Sequence, residues 1–122
     1  MIGTILACVA AVSIAGVGVY AWFAPRTAAS LYGAPTQDLA GLALARAVGV
    51  RDVVLASIIG ALALTNAREA LTVTIAFSTL IAVFDFAIVA RHLGAAGRRN
   101  LSLHALGALL FALTWLALRA GV

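Results

Sequence analysis

The sequence predicts an all-α fold, a four-transmembrane-helix bundle running antiparallel up-down-up-down with both termini on the same side. Three observations predict it. Of 122 residues, 65% are hydrophobic and 10% charged, whereas soluble domains average about 25% charged residues, so polar groups are too scarce to cover a surface facing water. The apolar residues fall into four long runs, each near the ~20 residues a helix needs to cross hydrocarbon. The connections between the later runs are short, which makes consecutive helices antiparallel neighbours. The length allows a single integral membrane domain, residues 1–122, with no space for a soluble domain beside it. No ten-residue alternating pattern of the β-barrel kind occurs.

The first span covers residues 2–24 and ends at Pro25. It lacks a basic leader, is longer than the ~7–15 residues of a signal-peptide core, and ends in Tyr20-Ala21-Trp22-Phe23-Ala24, a poor cleavage site. It is expected to stay as an uncleaved helix. Residues 26–32 can form two turns lying at the interface, closed by Gly33 in a left-handed cap, with Pro35 preventing continuation. Tyr20, Trp22, Phe23 and Tyr32 gather there as an aromatic belt.

The second span covers 39–65, with Thr36 as its expected N-cap and Asp38 in its first turn, where the helix dipole favours an anion. The third covers 71–90 and the fourth 101–119. Small residues recur at four-residue spacing, as Gly3, Ala7, Ala11 and Ala15 in the first span and Ala56 and Gly60 in the second. Ala105, Ala108 and Ala112 follow approximately in the fourth. Such faces let helix backbones approach.

The net charge is +4 and every basic residue is an arginine. Arg26, Arg91, Arg98 and Arg99 fall on one side of the predicted spans, Arg68 and Arg119 on the other. The positive-inside rule then places the first set in the cytoplasm and both termini outside the cell membrane. The arginines serve topology, and nucleic acid is not an expected partner. Cys8 is the only cysteine, which excludes a two-cysteine relay, and it reads as a small buried hydrophobe.

Charges inside the spans are the candidate functional groups, because each costs roughly 2.5–3.5 kcal/mol in hydrocarbon on insertion scales. Arg46, Arg51 and Asp52 interrupt the second span, Asp85 the third, and His104 lies just inside the fourth. At ~1.5 Å rise per residue, Arg46 lies about 7–10 Å, Asp85 about 8 Å and His104 roughly 5 Å from the cytoplasmic ends of their helices. Arg51 and Asp52 lie about 18–20 Å from residue 39. The expected arrangement is a polar pocket open to one leaflet, with Arg51 and Asp52 as its floor. The three charges of the second span spread around its circumference, so that helix is expected to be central, covered by several helices or by a second protomer. Thr74, Ser78, Asp85 and His92 fall on one line of the third span, expected to face the pocket, with Leu80, Val83 and Phe84 turned to lipid.

Two readings of these residues compete. Arg46, Arg51, Asp52 and Asp85 sum to zero charge and can be ion pairs that fix helix register. Intramembrane ionisable groups are also functional-site candidates by default. The functional assignment takes Asp85, Asp52 and His104 as catalytic and Arg46, Arg51, Ser78 and Thr74 as substrate-binding. A metal is not expected, since the His and Asp spacing is wrong and two arginines oppose a cation. No phosphate loop or nucleophile elbow is present, and no cofactor is implied.

Phe23-Ala24-Pro25-Arg26, Leu31-Tyr32-Gly33-Ala34-Pro35 and Arg46-Ala47-Val48-Gly49-Val50-Arg51-Asp52 follow one another, with Asp85 and a histidine opening the last span. In these segments the chain resembles an uncharacterised family of small four-helix integral membrane proteins of bacteria and fungi, a domain of unknown function. The resemblance covers nearly the whole chain, and Arg-x-x-Gly-x-Arg-Asp is its most specific part. It implies a four-helix fold and a shared set of polar residues, and it supplies no reaction. Small multidrug transporters have a similar size, but their acidic residue lies in the first span, which here carries no charge.

Three functions remain. One is a cofactor-independent enzyme of the isomerase, cyclase or epoxide-opening type, with a lipophilic substrate entering from the lipid bilayer. Asp85 would exchange protons, while Arg46 and Arg51 hold a polar group. Another is a lipid- or small-molecule-binding accessory subunit. The third is a proton-coupled transporter, which requires a homo-oligomer because one protomer has little room for a pathway.

Overall fold

The computed structural model describes residues 1–93 and 97–122. Five α-helices follow in order among the described residues: α1 (Ile2–Phe23), α2 (Pro25–Tyr32), α3 (Leu39–Leu64), α4 (Arg68–Leu93) and α5 (Arg98–Ala120). No strand occurs among the described residues. The four longer helices are each long and apolar enough to cross a membrane, and the chain is a multi-pass membrane protein. Part of the expected connection 91–100, residues 94–96, lies outside the described residues.

Local chemistry explains the joints. Ala24 alone separates α1 from α2, and Pro25 begins α2, where its missing N–H costs nothing. Gly33 ends α2 at φ 89°, and the Ala34 N–H reaches back to the Ala29 carbonyl at 2.9 Å, closing a left-handed cap. The N-cap of α3 is Asp38, not Thr36. Asp38 Oδ1 accepts from the Gly41 N–H at 2.8 Å, while the Thr36 hydroxyl donates to Asp38 Oδ2 at 2.6 Å. Those two bonds, the hydroxyl's first, hold the Asp38 carboxyl below its ordinary pKa. A carboxylate two residues nearer the helix reaches the free N–H groups better than the hydroxyl does.

Helix α4 begins three residues before the apolar run, at Arg68, and continues to Leu93. Arg68 Nη2 donates to the Leu118 carbonyl at 2.6 Å, satisfying a carbonyl in the last turn of α5. The Gly3 N–H donates to the Val122 carbonyl at 2.9 Å, so the start of α1 meets the end of α5.

The hub of the bundle is α1, which packs most extensively on α3 and also on α5 and α2. The second span, α3, was expected at the centre, but it has only a limited contact with α4. Each of its three charges has a polar partner instead: Arg46 the Trp22 carbonyl, and Arg51 and Asp52 one another, with the Tyr32 hydroxyl of α2 on Asp52. Gly18 and Gly49 make the close α1–α3 crossing. A Cβ on Gly49 would lie 2.6 Å from the Gly18 carbonyl oxygen. Of the expected small-residue contacts, Ala7, Ala11 and Ala56 are buried and Gly3 abuts Leu118. Gly60 has open space beside it and Ala105 is exposed. Cys8 is exposed rather than buried, since it lies on the outward side of α1 between Ala7 and Val9.

The core is built from the half of each helix nearer the termini, where Ala7, Ala11, Ala56, Ile59, Ile75 and Leu118 interlock. The opposite half is not filled in the same way, and the site lies there.

Candidate functional site

A cavity of about 320 Å³ occupies that half, bounded by all five helices. Its polar groups are Tyr20 from α1, Tyr32 from α2, Arg51 and Asp52 from α3, Ser78 and Asp85 from α4, and His104 from α5. Ile14, Leu55 and Phe111 continue the wall toward the core. Leu55 is about one turn deeper than Arg51 along α3, and Phe111 about two turns deeper than His104 along α5. The Arg51–Asp52 pair therefore does not form the floor; apolar side chains do.

Asp52 is the most enclosed charge, with the residue 8% exposed. Both of its oxygens are engaged. Arg51 donates to Oδ1 from Nε at 3.2 Å and from Nη2 at 3.0 Å, and the Tyr32 hydroxyl donates to Oδ2 at 2.9 Å. A carboxylate carried this far from water needs such partners. Burial first, then the Asp52 carboxylate, pushes the Tyr32 phenol above its ordinary pKa, so it stays protonated and remains a donor.

Arg51 also reaches the next helix, with Nη2 3.6 Å from Asp85 Oδ2. This is the ion pair between the second and third spans, formed by Arg51 and not by Arg46. The Asp85 side chain is 34% exposed, and no hydrogen bond reaches it among the described residues. The two aspartates thus differ sharply. One is saturated by a guanidinium and a phenol, while the other is held loosely and faces the cavity.

His104 brings in α5. Its Nε2 lies 3.2 Å from the Tyr32 carbonyl oxygen. A carbonyl only accepts, so that ring nitrogen carries a proton and Nδ1 is left for other partners. The Tyr32 and His104 rings are 5.8 Å apart and tilted by 33°. The Asn100 side chain, one turn earlier on α5, donates to the carbonyls of Ser30 at 2.8 Å and Leu31 at 2.6 Å. These bonds fasten the last turn of α2 against the cavity.

Of the seven candidate site residues, the structure brings Arg51, Asp52, Ser78, Asp85 and His104 to one cavity. Arg46 is not among them. It is exposed, and its Nε donates to the Trp22 carbonyl at 3.4 Å. The end of α1 offers it a free carbonyl nearby, and its position on α3 turns it away from the pocket. Thr74 lies one turn beyond Ser78 and bonds to the Ala70 carbonyl at 2.8 Å, outside the cavity. His92 is exposed, so the expected polar line on α4 contributes only Ser78 and Asp85. Leu80, Val83 and Phe84 are exposed, as lipid-facing residues should be. Tyr32 and Asn100 are the residues that the sequence reading misses. An aromatic belt accounts for where Tyr32 sits but not for its hydroxyl, and no local pattern marks Asn100 as a clamp.

Chemically, the arrangement offers one loosely held carboxylate, one imidazole and one guanidinium at the polar end of an apolar chamber. Among the described residues, no group of three or more His, Cys, Asp or Glu is placed to hold a metal ion. No curated protein and no solved structure matches the chain. One family does match, over residues 2–118 and so over nearly the whole chain, and the protein belongs to that family, described as "Domain of unknown function (DUF4267)".

Proposed function

We propose that this membrane protein admits a lipophilic small molecule from the bilayer into the cavity and acts on it by cofactor-independent acid–base chemistry. The observation that carries this reading is the unequal treatment of the two aspartates. Asp52, saturated by Arg51 and Tyr32, fixes the guanidinium in place. Asp85, loosely paired at 3.6 Å, is free to take a proton from a bound molecule and return it. An isomerisation, cyclisation or epoxide opening consumes no net proton, so one such carboxylate suffices, with His104 Nδ1 as a second exchange site. Arg51 would steady developing negative charge. The apolar wall suits a ligand oriented by a few polar groups.

The arginine bias supports a cell-membrane location with both termini outside. The exposed apolar outer faces suit lipid or a second copy of the chain. A binding or accessory subunit without catalysis is the second reading, favoured by the same cavity. A proton-coupled oligomeric transporter would use the same Asp85.

The test is purification into lipid nanodiscs, followed by mass spectrometry of the extracted lipophiles before and after incubation. A bound molecule converted by the wild type and left unchanged by Asp85→Asn supports the enzyme. A molecule that binds and is recovered unaltered from the wild type replaces the enzyme with the binding subunit. If no lipophile is enriched over empty nanodiscs, the charged cluster is a structural ion-pair lock.

A further inference from the structure

We infer that the cavity prefers a lipophile whose polar end is a protonated amine. The inference rests on the proposal that the cavity binds a lipophile, and it adds the ligand's charge.

The polar groups that line the cavity come from every helix around it. Helix α1 gives Tyr20, α2 gives Tyr32, and α3 gives Arg51 and Asp52. Helix α4 gives Ser78 and Asp85, and α5 gives His104. With the imidazole neutral, one guanidinium faces two carboxylates and the cluster carries one excess negative charge. An uncompensated charge in an apolar chamber is costly, and a cation brought in by the ligand removes that cost.

The hydrogen-bonding inventory points the same way. Donors are partly used up, the Nη1 group of Arg51 and the Tyr20 hydroxyl being those left without an acceptor among the described residues. Arg51 Nε and Nη2 are spent on Asp52, the Tyr32 hydroxyl on Asp52, the Ser78 hydroxyl on the Thr74 carbonyl, and the His104 ring N–H on the Tyr32 carbonyl. Acceptors are left over. No hydrogen bond reaches the Asp85 carboxylate among the described residues, and Nδ1 of a neutral His104 has a free lone pair. An ammonium brings three donors and no acceptor, matching that surplus. A carboxylate or phosphate head group would bring acceptors to acceptors and a second negative charge. A hydroxyl would satisfy one acceptor and leave the charge. A second arginine would cancel the excess negative charge, but Arg46 is turned away toward the Trp22 carbonyl.

The probes are decylamine, 1-decanol and decanoate, which share one chain and differ at the polar end. Binding to the protein in neutral-lipid nanodiscs at pH 7 is measured by calorimetry, with empty nanodiscs subtracted. Decylamine should bind about tenfold more tightly than decanol, the gain expected of one charge-assisted hydrogen bond, and decanoate should bind most weakly. Asp85→Asn should bring decylamine down to the decanol level, and Arg46→Gln should leave the order unchanged. If Asp85→Asn does not fold, the order of the three probes on the wild type decides alone. Decanol or decanoate binding as tightly as decylamine overturns the charge preference and leaves the cavity reading standing. If none of the three binds above empty nanodiscs, the cavity reading fails and the charge preference goes with it.

Discussion

Asp52 and Asp85 share Arg51 but stand in different solvents. Asp52 is nearly enclosed and accepts hydrogen bonds at both oxygens, whereas Asp85 is one-third exposed and only within ion-pair range. Removing the Asp52 charge leaves the guanidinium and the Tyr32 hydroxyl with poorer acceptors, which costs about 1–3 kcal/mol. Neutralising Asp85 removes a partly solvated pair worth about 0–1 kcal/mol. Asp52→Asn should therefore lower stability in detergent clearly more than Asp85→Asn does. Reversible unfolding of the two variants side by side checks this, and equal losses would remove the distinction on which the assignment of roles depends. At this scale the sequence was partly legible. Charges in apolar runs mark themselves by their cost, and so Arg51, Asp52 and Asp85 stood out. Depth alone also grouped Arg46 with them, but depth ignores which way a side chain leaves its helix. Arg46 leaves toward a free carbonyl of α1. Tyr32 was illegible because its role depends on α2 folding back over α3, which no spacing within either segment encodes.

Between elements, the closest approach is where α1 crosses α3. There the backbone of Gly18 lies so near that of Gly49 that a Cβ on Gly49 would meet the Gly18 carbonyl oxygen at 2.6 Å and Ala21 Cβ at 2.9 Å. Backbone cannot step aside as a flexible side chain can, so Gly49→Ala should cost about 1–3 kcal/mol. Gly60, on the same helix, has no atom within 4 Å of an added Cβ. Gly60→Ala should be neutral or up to ~1 kcal/mol stabilising through helix propensity. Unfolding curves should show a loss for Gly49→Ala and none for Gly60→Ala, and a matched loss would mean that the crossing is looser than a 2.6 Å approach implies. Hydropathy located all four spans because burying them in lipid needs apolar length. It did not locate their ends, because α4 starts on Arg68 and Glu69, which are polar but helical. It also did not reveal which glycines touch. In a chain this rich in small residues, four-residue spacing arises without contact, and Gly60 and Ala105 are examples.

Over the whole molecule, the two halves of the bundle are built differently. Near the termini, alanines of α1 and α3 let Ile59, Ile75 and Leu118 close into a solid core. Beyond Ile14 and Ser78 the helices surround a chamber instead, and α3 and α4 touch little. The arginine-rich ends, Arg26, Arg91, Arg98 and Arg99, lie toward the chamber. Arg68 lies at the solid end, where Met1, Asn66 and Val122 gather around the same recess. If the chamber half faces the cytoplasm, Arg98→Cys should be shielded from a membrane-impermeant maleimide on intact cells and labelled only after permeabilisation. Arg68→Cys should be labelled at once. The native thiol must first be replaced, because Cys8 is exposed on the outer side of α1. Reversed labelling would keep the four spans and turn the chamber outward, making the other leaflet the one beside its polar end. Labelling of both positions from one side would break the four-span arrangement itself, since a helix such as α4 that crosses once must separate its connections.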